Sequence, residues 1–556
     1  MQLGTPFRFY FTALLLGVLI TGTTTNFSSP VVYRFTNDSS GYIENAINLA
    51  NGNGLRGSSS AFKPEPYVPL RHHPPGYSIS IALLTTLGVN PKTAALTLPF
   101  LGWTLLPIAI LFAMAPWVGY PLALMIGVLA ATSPGVSEFS LVALPDVFFM
   151  TLVVFSLGLL LRGIKGEENP RVIFISGCIA GLGYTLRNTG LPLFAAGLAT
   201  FLSAFLLNIF SAKRSFHLGL TWFAGVAVTV VPLITRNLIV FGDVQPYQFD
   251  TIDFGYLRSL RLYLWSSFYD LTGFRFAADL AWDFKLFVIA LAPLIAVILI
   301  ITRYKDLLSN KNLQFTGLLL FFYLCAGSAM IIIVRARYPL SEMILIRHAM
   351  QYTWLIPALV AVLIAPIGLT PYKSIPAVTL AAFLSTFMVG HINYIASALE
   401  KENTIQNAVR TLGTFKAAID ELPADWILTN QIKLAISTNS NLLGFVRELP
   451  ENAFITSNFS QVLKLETGRS VRLLDPNDES NDRVFFDRLN NLLATKDPSI
   501  PFYWILLPTN GMLRKNDNPW VRFEENLPKQ LFTIQKTDSL WIVTDTPHAP
   551  KFDKSS

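Results

Sequence analysis

Apolar residues in this chain gather into runs of about twenty, the length a helix needs to cross a bilayer. Eleven such runs occur, at approximately 9–25, 93–114, 119–134, 146–162, 171–187, 190–208, 217–235, 284–302, 314–334, 348–367 and 374–396, and each predicts a spanning helix. A twelfth run, Gly76 to Val89, is short and follows "HHPPG", so it predicts a helix lying in the outer interface. Between the first two spans, "RFTNDSSGYIENAINLANG" (Arg34 to Gly52) predicts an amphipathic helix. Its apolar stripe is Ile43, Ala46, Ile47 and Ala50; Asp38 and Ser39 are its expected caps, and Gly52 ends it. From Lys401 the pattern changes. Thr404 to Leu422 repeats apolar residues at Ala408, Leu412, Phe415 and Ile419, then "AFITSN", "FSQVLKLETG", "SVRLLDP", "RVFFDRLNNLLA", "FYWILLP" and "SLWIVTD" follow. Strand-length runs alternating with helices predict a small α/β domain, dividing the chain into a membrane domain over 1–400 and a tail domain over 401–556.

Composition agrees with a polytopic membrane protein: 52% of the 556 residues are hydrophobic and 14% charged, with a mean hydropathy of +0.47. The formal charge of +7 is scattered among loops rather than gathered on one face, which gives nucleic acid no footprint. Both cysteines, Cys178 and Cys325, lie inside apolar runs, so there is no disulfide framework. No internal repeat is present, and the tail contains neither a phosphate-binding glycine loop nor a G-x-G-x-x-G fingerprint. The first run, behind Arg8, reads as an uncleaved anchor.

Lys and Arg distribution orients the chain. With Arg8 cytoplasmic, the turns carrying Arg162, Lys165 and Arg171, then Lys213 and Arg214, then Arg303, Lys305 and Lys311, then Lys373, all fall on the cytoplasmic side. Loops 26–92, 135–145, 236–283 and 335–347, and the tail, then face outward.

That outer face collects the chemistry. Asp38 is either the cap of its helix or an acid poised at the membrane lip. "SPGVSEFSLVALPD" adds Glu138 and Asp146 at the same face; Asp146 is either the first residue of a span, favoured by the helix dipole, or the partner of Asp38. The adjacent pair His72 and His73 lacks an i,i+4 metal spacing and reads as interface-exposed side chains or substrate contacts. Arg187, Arg236, Arg335, Arg337 and Arg347, with His348, stand near span ends, where arginines either snorkel or clamp a phosphate through their planar forks. A base beside an acceptor hydroxyl and cations beside a departing lipid phosphate are what glycosyl transfer from a lipid-phosphate sugar needs.

"TNDSSGYIENAINLANGNG", "RHHPPGYSISIALL", "SPGVSEFSLVALPDVFF", "LRNTGL", "RNLIVFGD" and "IRHAMQYTWLIPAL" together resemble the bacterial membrane glycosyltransferases of the GT-C superfamily, of the protein O-mannosyltransferase and aminoarabinose transferase type. The resemblance covers about residues 1–400. It implies a GT-C-like α-helical fold for these residues; with the runs counted above, the expected architecture is about eleven spans with interfacial helices followed by the outer α/β tail. It also implies an inverting transfer from a polyprenyl-phosphate sugar, with Asp38 as catalytic base or holder of the acceptor and Asp146 or Glu138 as the second acid. Arg187, Arg347 and His348 are the implied phosphate contacts; Tyr42, His72, His73 and Arg236 complete the candidate substrate-binding set. The family implies metal-independent or loosely metal-dependent chemistry, with Asp38 and Asp146 as the candidate ligands of a divalent metal ion. Its acceptors are lipid, glycan or protein, its surroundings membrane lipids, and its setting here a bacterial plasma membrane. The tail does not resemble the β-trefoil insert of eukaryotic relatives, and "HHPPGY" lacks an acid found in some members, which leaves the acceptor open. Competing functions are a secondary transporter, a lipid-linked glycan polymerase or ligase, and a catalytically silent sensor. Transporters show repeats and midplane charges, whereas these charges gather at one face.

Overall fold

The structure is a computed structural model of the chain. It describes residues 5–27, 34–58, 67–71, 73–165, 168–246, 255–273, 310–337, 342–364, 385, 387–392, 436–437, 439–473, 489, 491–492, 499–506, 533–536 and 541–544. Two compact units emerge, one from 1–27 with 71–398 and one from 28–70 with 399–556.

The first unit is helical. Its described elements are α1 (Thr5–Phe27), α3 (Gly76–Thr86), α4 (Pro91–Val118), α5 (Tyr120–Thr132), α6 (Pro134–Ser140), α7 (Asp146–Ile164), α8 (Pro170–Leu186), α9 (Leu191–Leu206), α10 (Ala212–Phe241), α11 (Tyr256–Thr272), α12 (Lys311–Arg337), α13 (Glu342–Thr353) and α14 (Leu355–Ile364). Six helices among the described residues are long and apolar enough to cross a membrane, or seven if the bent pair α5 and α6 is one span. The expected run 284–302, and most of 374–396, lie outside the described residues. Gly76–Thr86 is helical, as expected of the twelfth run.

Two predicted spans turn out to be interrupted. The run 119–134 stops at Ser133 and bends by 57° into α6, because Pro134 cannot continue the backbone ladder and Ser133 accepts from Val136 N to start a new helix. The run 348–367 begins earlier, at Glu342, and breaks between Thr353 and Leu355. Both breaks come into play at the functional site.

Small residues let the helices approach. A Cβ at Gly177 of α8 would strike the carbonyl oxygen of Trp222 in α10, and one at Gly225 would strike that of Phe174. Along the same seam Trp222 Nε1 donates to Ser176 Oγ at 3.1 Å, while Ser156 and Ser176 each donate to the other's carbonyl at 2.8 Å. Every buried polar group in this chain of contacts therefore has a partner. Gly177→Val is expected to force α8 and α10 apart and lower stability by about 1–3 kcal/mol, read as an earlier thermal unfolding in detergent. An unchanged transition would mean that the seam is looser than described.

The second unit holds α2 (Asn37–Ala50), the antiparallel pair β1 (Arg56–Ser58) and β2 (Tyr67–Pro69), α15 (Ser440–Glu448), β3 (Phe454–Ser457), α16 (Ser460–Thr467), β4 (Val471–Leu473), β5 (Phe502–Leu506), β6 (Thr533–Lys536) and β7 (Trp541–Thr544). The last five strands make one sheet in the order β4-β3-β5-β7-β6. β3 pairs parallel with β4 and β5, and β7 pairs antiparallel with β5 and β6. Central β5, "FYWIL", is buried at every position, the continuous apolar run of a strand covered on both faces. "FSQVLKLETG" supplies one of the helices of this alternation, α16, and the expected helix over Thr404 to Leu422 lies outside the described residues. Residues ahead of α2 join this core: Phe35 packs against Ile455, Leu463 and their neighbours, and Lys464 of α16 pairs with Glu44 of α2.

Candidate functional site

Four elements of the helical unit deliver one charged cluster. Asp146 opens α7 behind Pro145, where its carboxylate meets the positive end of the helix dipole. Arg187 stands in extended backbone where α8 stops, ahead of a single 3-10 turn, Asn188–Gly190. Arg347 and His348 lie on α13, and Arg335 lies in the last turn of α12.

Asp146 is fully buried, and its two oxygens are shared between arginines. Arg347 grips it with two prongs, Nε to Oδ1 at 2.9 Å and Nη2 to Oδ2 at 3.0 Å, the fork geometry that makes guanidinium–carboxylate pairs strong. Arg187 Nη1 pairs with the same Oδ1, and its Nη2 donates to His348 Nδ1 at 3.3 Å. Since a guanidinium nitrogen only donates, His348 Nδ1 accepts and the imidazole is neutral. Arg335 is 2% exposed, lies in Coulombic range of Arg187, Arg347 and His348, and has no hydrogen-bond partner for Nη1 or Nη2 among the described residues. Gln351, 1% exposed and one helical turn beyond Arg347 on α13, has neither side-chain amide atom paired among the described residues. The cluster thus gathers three buried arginines, one of which, Arg335, has two side-chain nitrogens without a hydrogen-bond partner among the described residues.

Other predicted residues are placed elsewhere. Asp38 lies in the second unit, in the first turn of α2 and half-buried. It is not the helix cap, and neither is Ser39: Thr36 takes that role, accepting from Ser39 N at 3.2 Å while Thr36 N donates to Ser39 Oγ at 2.9 Å. A threonine followed three residues later by a side-chain acceptor closes a reciprocal capping box, so the carboxylate is not needed there. Tyr42 is buried on the same helix. Glu138 is half-buried on α6, ahead of Asp146, and His73 is half-buried; His72 lies outside the described residues. Arg236, near the end of α10, donates to Asn237 Oδ1 at 3.0 Å and lies over the Phe241 ring. Among the described residues no three His, Cys, Asp or Glu side chains gather as a metal-ligand group. With both oxygens of Asp146 already held by arginines, that residue does not fit as a metal ligand.

Sequence reasoning missed a second acid. Asp270, near the end of α11, is fully buried and lies outside the candidate spans. Its Oδ1 accepts from Gly135 N at 2.7 Å and its Oδ2 from Thr353 Oγ1. One carboxylate thus caps both helix breaks, the one between α5 and α6 that leads to Glu138 and Asp146, and the one that ends α13 and its Arg347. The only sequence signal was a lone acid in "SSFYDLTG", ahead of Gly273 in left-handed backbone. Burial raises the Asp270 carboxyl to about 6, with the Thr353 and Gly135 hydrogen bonds opposing. Because the folded value lies above the ordinary 3.8, the stabilisation is complete below about pH 4 and is lost as pH rises through 6. Unfolding measured from pH 5 to 8 is expected to show stability falling by at most about 3 kcal/mol, and Asp270→Asn is expected to remove this component. An identical pH dependence in that variant would contradict it.

Residues 72–235 match the family described as Dolichyl-phosphate-mannose-protein mannosyltransferase. No curated protein matches the chain. Among solved structures, ArnT from Cupriavidus metallidurans bound to undecaprenyl phosphate is similar at a TM-score of 0.56 and 11% identity, over 98% of this chain and 98% of that one. The apo state of the same protein gives 0.54 and 12%, over 97% of each chain. The Archaeoglobus fulgidus oligosaccharyltransferase tethered with an acceptor peptide gives 0.48 and 13%, over 89% of this chain and 68% of that one. The resemblance read from the outer-loop motifs therefore holds at the level of architecture: the chain has the fold of the GT-C superfamily of membrane glycosyltransferases.

Proposed function

We propose that the chain transfers a sugar from a polyprenyl-phosphate donor to an acceptor hydroxyl at the outer face of the membrane, by inverting single displacement. The observation that carries this reading is the buried cluster in which Arg187 and Arg347 share the carboxylate of Asp146 and Arg335 stands within Coulombic range of both arginines. Guanidiniums keep their charge and bind phosphate oxygens in pairs, so such a cluster suits a lipid phosphate head more than a neutral solute. A fold similar to a protein captured with undecaprenyl phosphate supports the same choice.

In this mechanism Asp38 removes the proton from the acceptor hydroxyl as it attacks the anomeric carbon. The arginines stabilise the charge that collects on the departing phosphate. Asp146 keeps Arg187 and Arg347 apart and aimed, which revises its expected role from partner of the base to holder of the clamp. Tyr42, Glu138, His72, His73 and Arg236 are the remaining candidates for sugar and acceptor contacts. This chemistry and the α/β tail belong, in this reading, to the non-cytoplasmic side, which the cationic turns support.

The test is reconstitution. Proteoliposomes given a labelled polyprenyl-phosphate sugar and lipid, glycan or peptide acceptors are expected to form a glycosidic product and free polyprenyl phosphate. Solute uptake without any new glycosidic bond would establish the transporter instead.

A further inference from the structure

Two of the helices that build the cluster are too short to hold their own direction. α6 has 7 residues and α13 has 12, at or below the length at which an isolated helix is marginal, so what they are tied to sets where they point. Both are tied to Asp270. Its carboxylate, fully buried near the end of α11, accepts from Gly135 N in the first turn of α6 at 2.7 Å and from Thr353 Oγ1 in the last turn of α13. Thr353 Oγ1 lies closer to this carboxylate than to the Met350 carbonyl at 3.3 Å, the local acceptor that a helical threonine ordinarily uses. Packing seals the same junction. A Cβ at Gly135 would stand 2.7 Å from Asp270 Oδ1, 2.8 Å from Met350 Cβ and 3.1 Å from Ile346 Cγ2, so α6 lies directly on α13 beside Arg347 with no side chain between. On the other side of the break His391 holds the end of α5 to the end of α11: its Nε2 donates to the Leu271 carbonyl at 2.9 Å, and its Nδ1 pairs with Thr132 Oγ1 at 3.1 Å.

Resting on the phosphate clamp proposed above, we propose that Asp270 is a positioning residue: by bonding α6 and α13 at once it sets the register of Arg347 against Asp146, and so aims the clamp. Every residue in this chain of contacts belongs to the helical unit. Thr353 is on the same helix as Arg347, while α6 leads through residues 141–145 into α7, which Asp146 opens. The Arg347 fork needs two bonds at once, at 2.9 and 3.0 Å, and a two-pronged contact tolerates a shift of its partner less than a single bond does. If α13 slides on α6, one prong is lost and the guanidinium turns from the direction in which it meets an anion. Asp270 touches neither phosphate nor sugar in this scheme. It acts through Arg347, so its effect falls on the donor and not on the acceptor.

The experiment measures binding of a polyprenyl monophosphate to the purified full chain, alongside thermal unfolding and the KM values of transfer. Thr353→Val keeps the shape and deletes the bond to Asp270. It is expected to weaken lipid-phosphate binding about 10- to 100-fold, the cost of moving a bound group by about an ångström, while the acceptor KM stays within about threefold. Thr353→Ser, which keeps the hydroxyl, is expected to restore most of the affinity. Gly135→Ala presses on the same junction from the α6 side; it is expected to weaken binding by a similar factor, and it carries the test if the valine variant does not fold. Non-additivity separates positioning from folding: in an Arg347→Ala background, Thr353→Val is expected to cost no more than about twofold further, because the group being aimed is already gone. Wild-type affinity in Thr353→Val and Gly135→Ala, an equal loss for donor and acceptor, or a loss that adds in full to that of Arg347→Ala would overturn the inference and leave the donor class standing. If Arg347→Ala binds the lipid phosphate as the wild type does, the clamp fails and the inference fails with it.

Discussion

Asp146→Ala is expected to cost this protein about 3–5 kcal/mol of stability, the usual consequence of removing one partner of a buried ion pair. The reason is visible in what would remain. Arg187 and Arg347, whose donors converge on Oδ1 and Oδ2, would lose the carboxylate that lies between them while standing within Coulombic range of Arg335. Asp146→Asn retains the shape and one acceptor oxygen, so its loss is expected to be smaller, though the charge excess grows equally. Thermal unfolding in detergent, with monodispersity on a sizing column, checks the order wild type, Asp146→Asn, Asp146→Ala. Adding Arg335→Met to Asp146→Ala removes one of the uncompensated charges and is expected to recover part of the loss, a coupling that a double-mutant cycle measures. If Asp146→Ala unfolds with the wild type, the arginines are satisfied by something else and the cluster is not held together as described.

Asp38→Asn is expected to reduce transfer about 10²- to 10⁴-fold, the usual contribution of a positioned general base, with donor affinity nearly unchanged. The fold provides a control for this substitution. Since Thr36 and Ser39 cap α2 reciprocally, the carboxylate of Asp38 is not needed to start the helix, and the asparagine variant is expected to unfold with the wild type. Thr36→Ala, by contrast, is expected to lose about 1 kcal/mol of stability through the cap. Initial rates with labelled donor, alongside thermal unfolding, separate the two. Activity of Asp38→Asn within threefold of wild type would remove Asp38 as the base.

Much of the helical architecture was legible because its cause is local. A run of apolar residues long enough for a bilayer announces itself without reference to the rest of the chain, and α4, α7, α10 and α12 lie where such runs predict. The strands β3, β4, β5 and β7 were likewise legible as short apolar runs. The interruptions at Ser133 and Trp354 were not, although Pro134 was a clear local signal for the first. Which of the tail's short runs is the helix α16 was not legible, because eight residues hold too few turns to show a helical period. At α2 the choice of cap went to Thr36 over Asp38 and Ser39, since three neighbouring residues could all cap and only the backbone path chooses among them.

The site was legible in kind and illegible in arrangement. By itself the sequence determined that this chain lives in a membrane, that its acids and arginines collect near span ends, and that Asp146 begins a helix. Only the tertiary structure decided that Arg347, 201 residues away, forks onto Asp146, and that Arg187 shares the same oxygen. It alone singled out Arg335, which in "VRAR" reads as one more arginine at a helix end, and Asp270, which read as nothing at all. The physical reason is that helix formation and membrane insertion depend on neighbours along the chain, whereas the partner of a buried charge depends on which helix ends meet, and nothing local in either partner specifies the other.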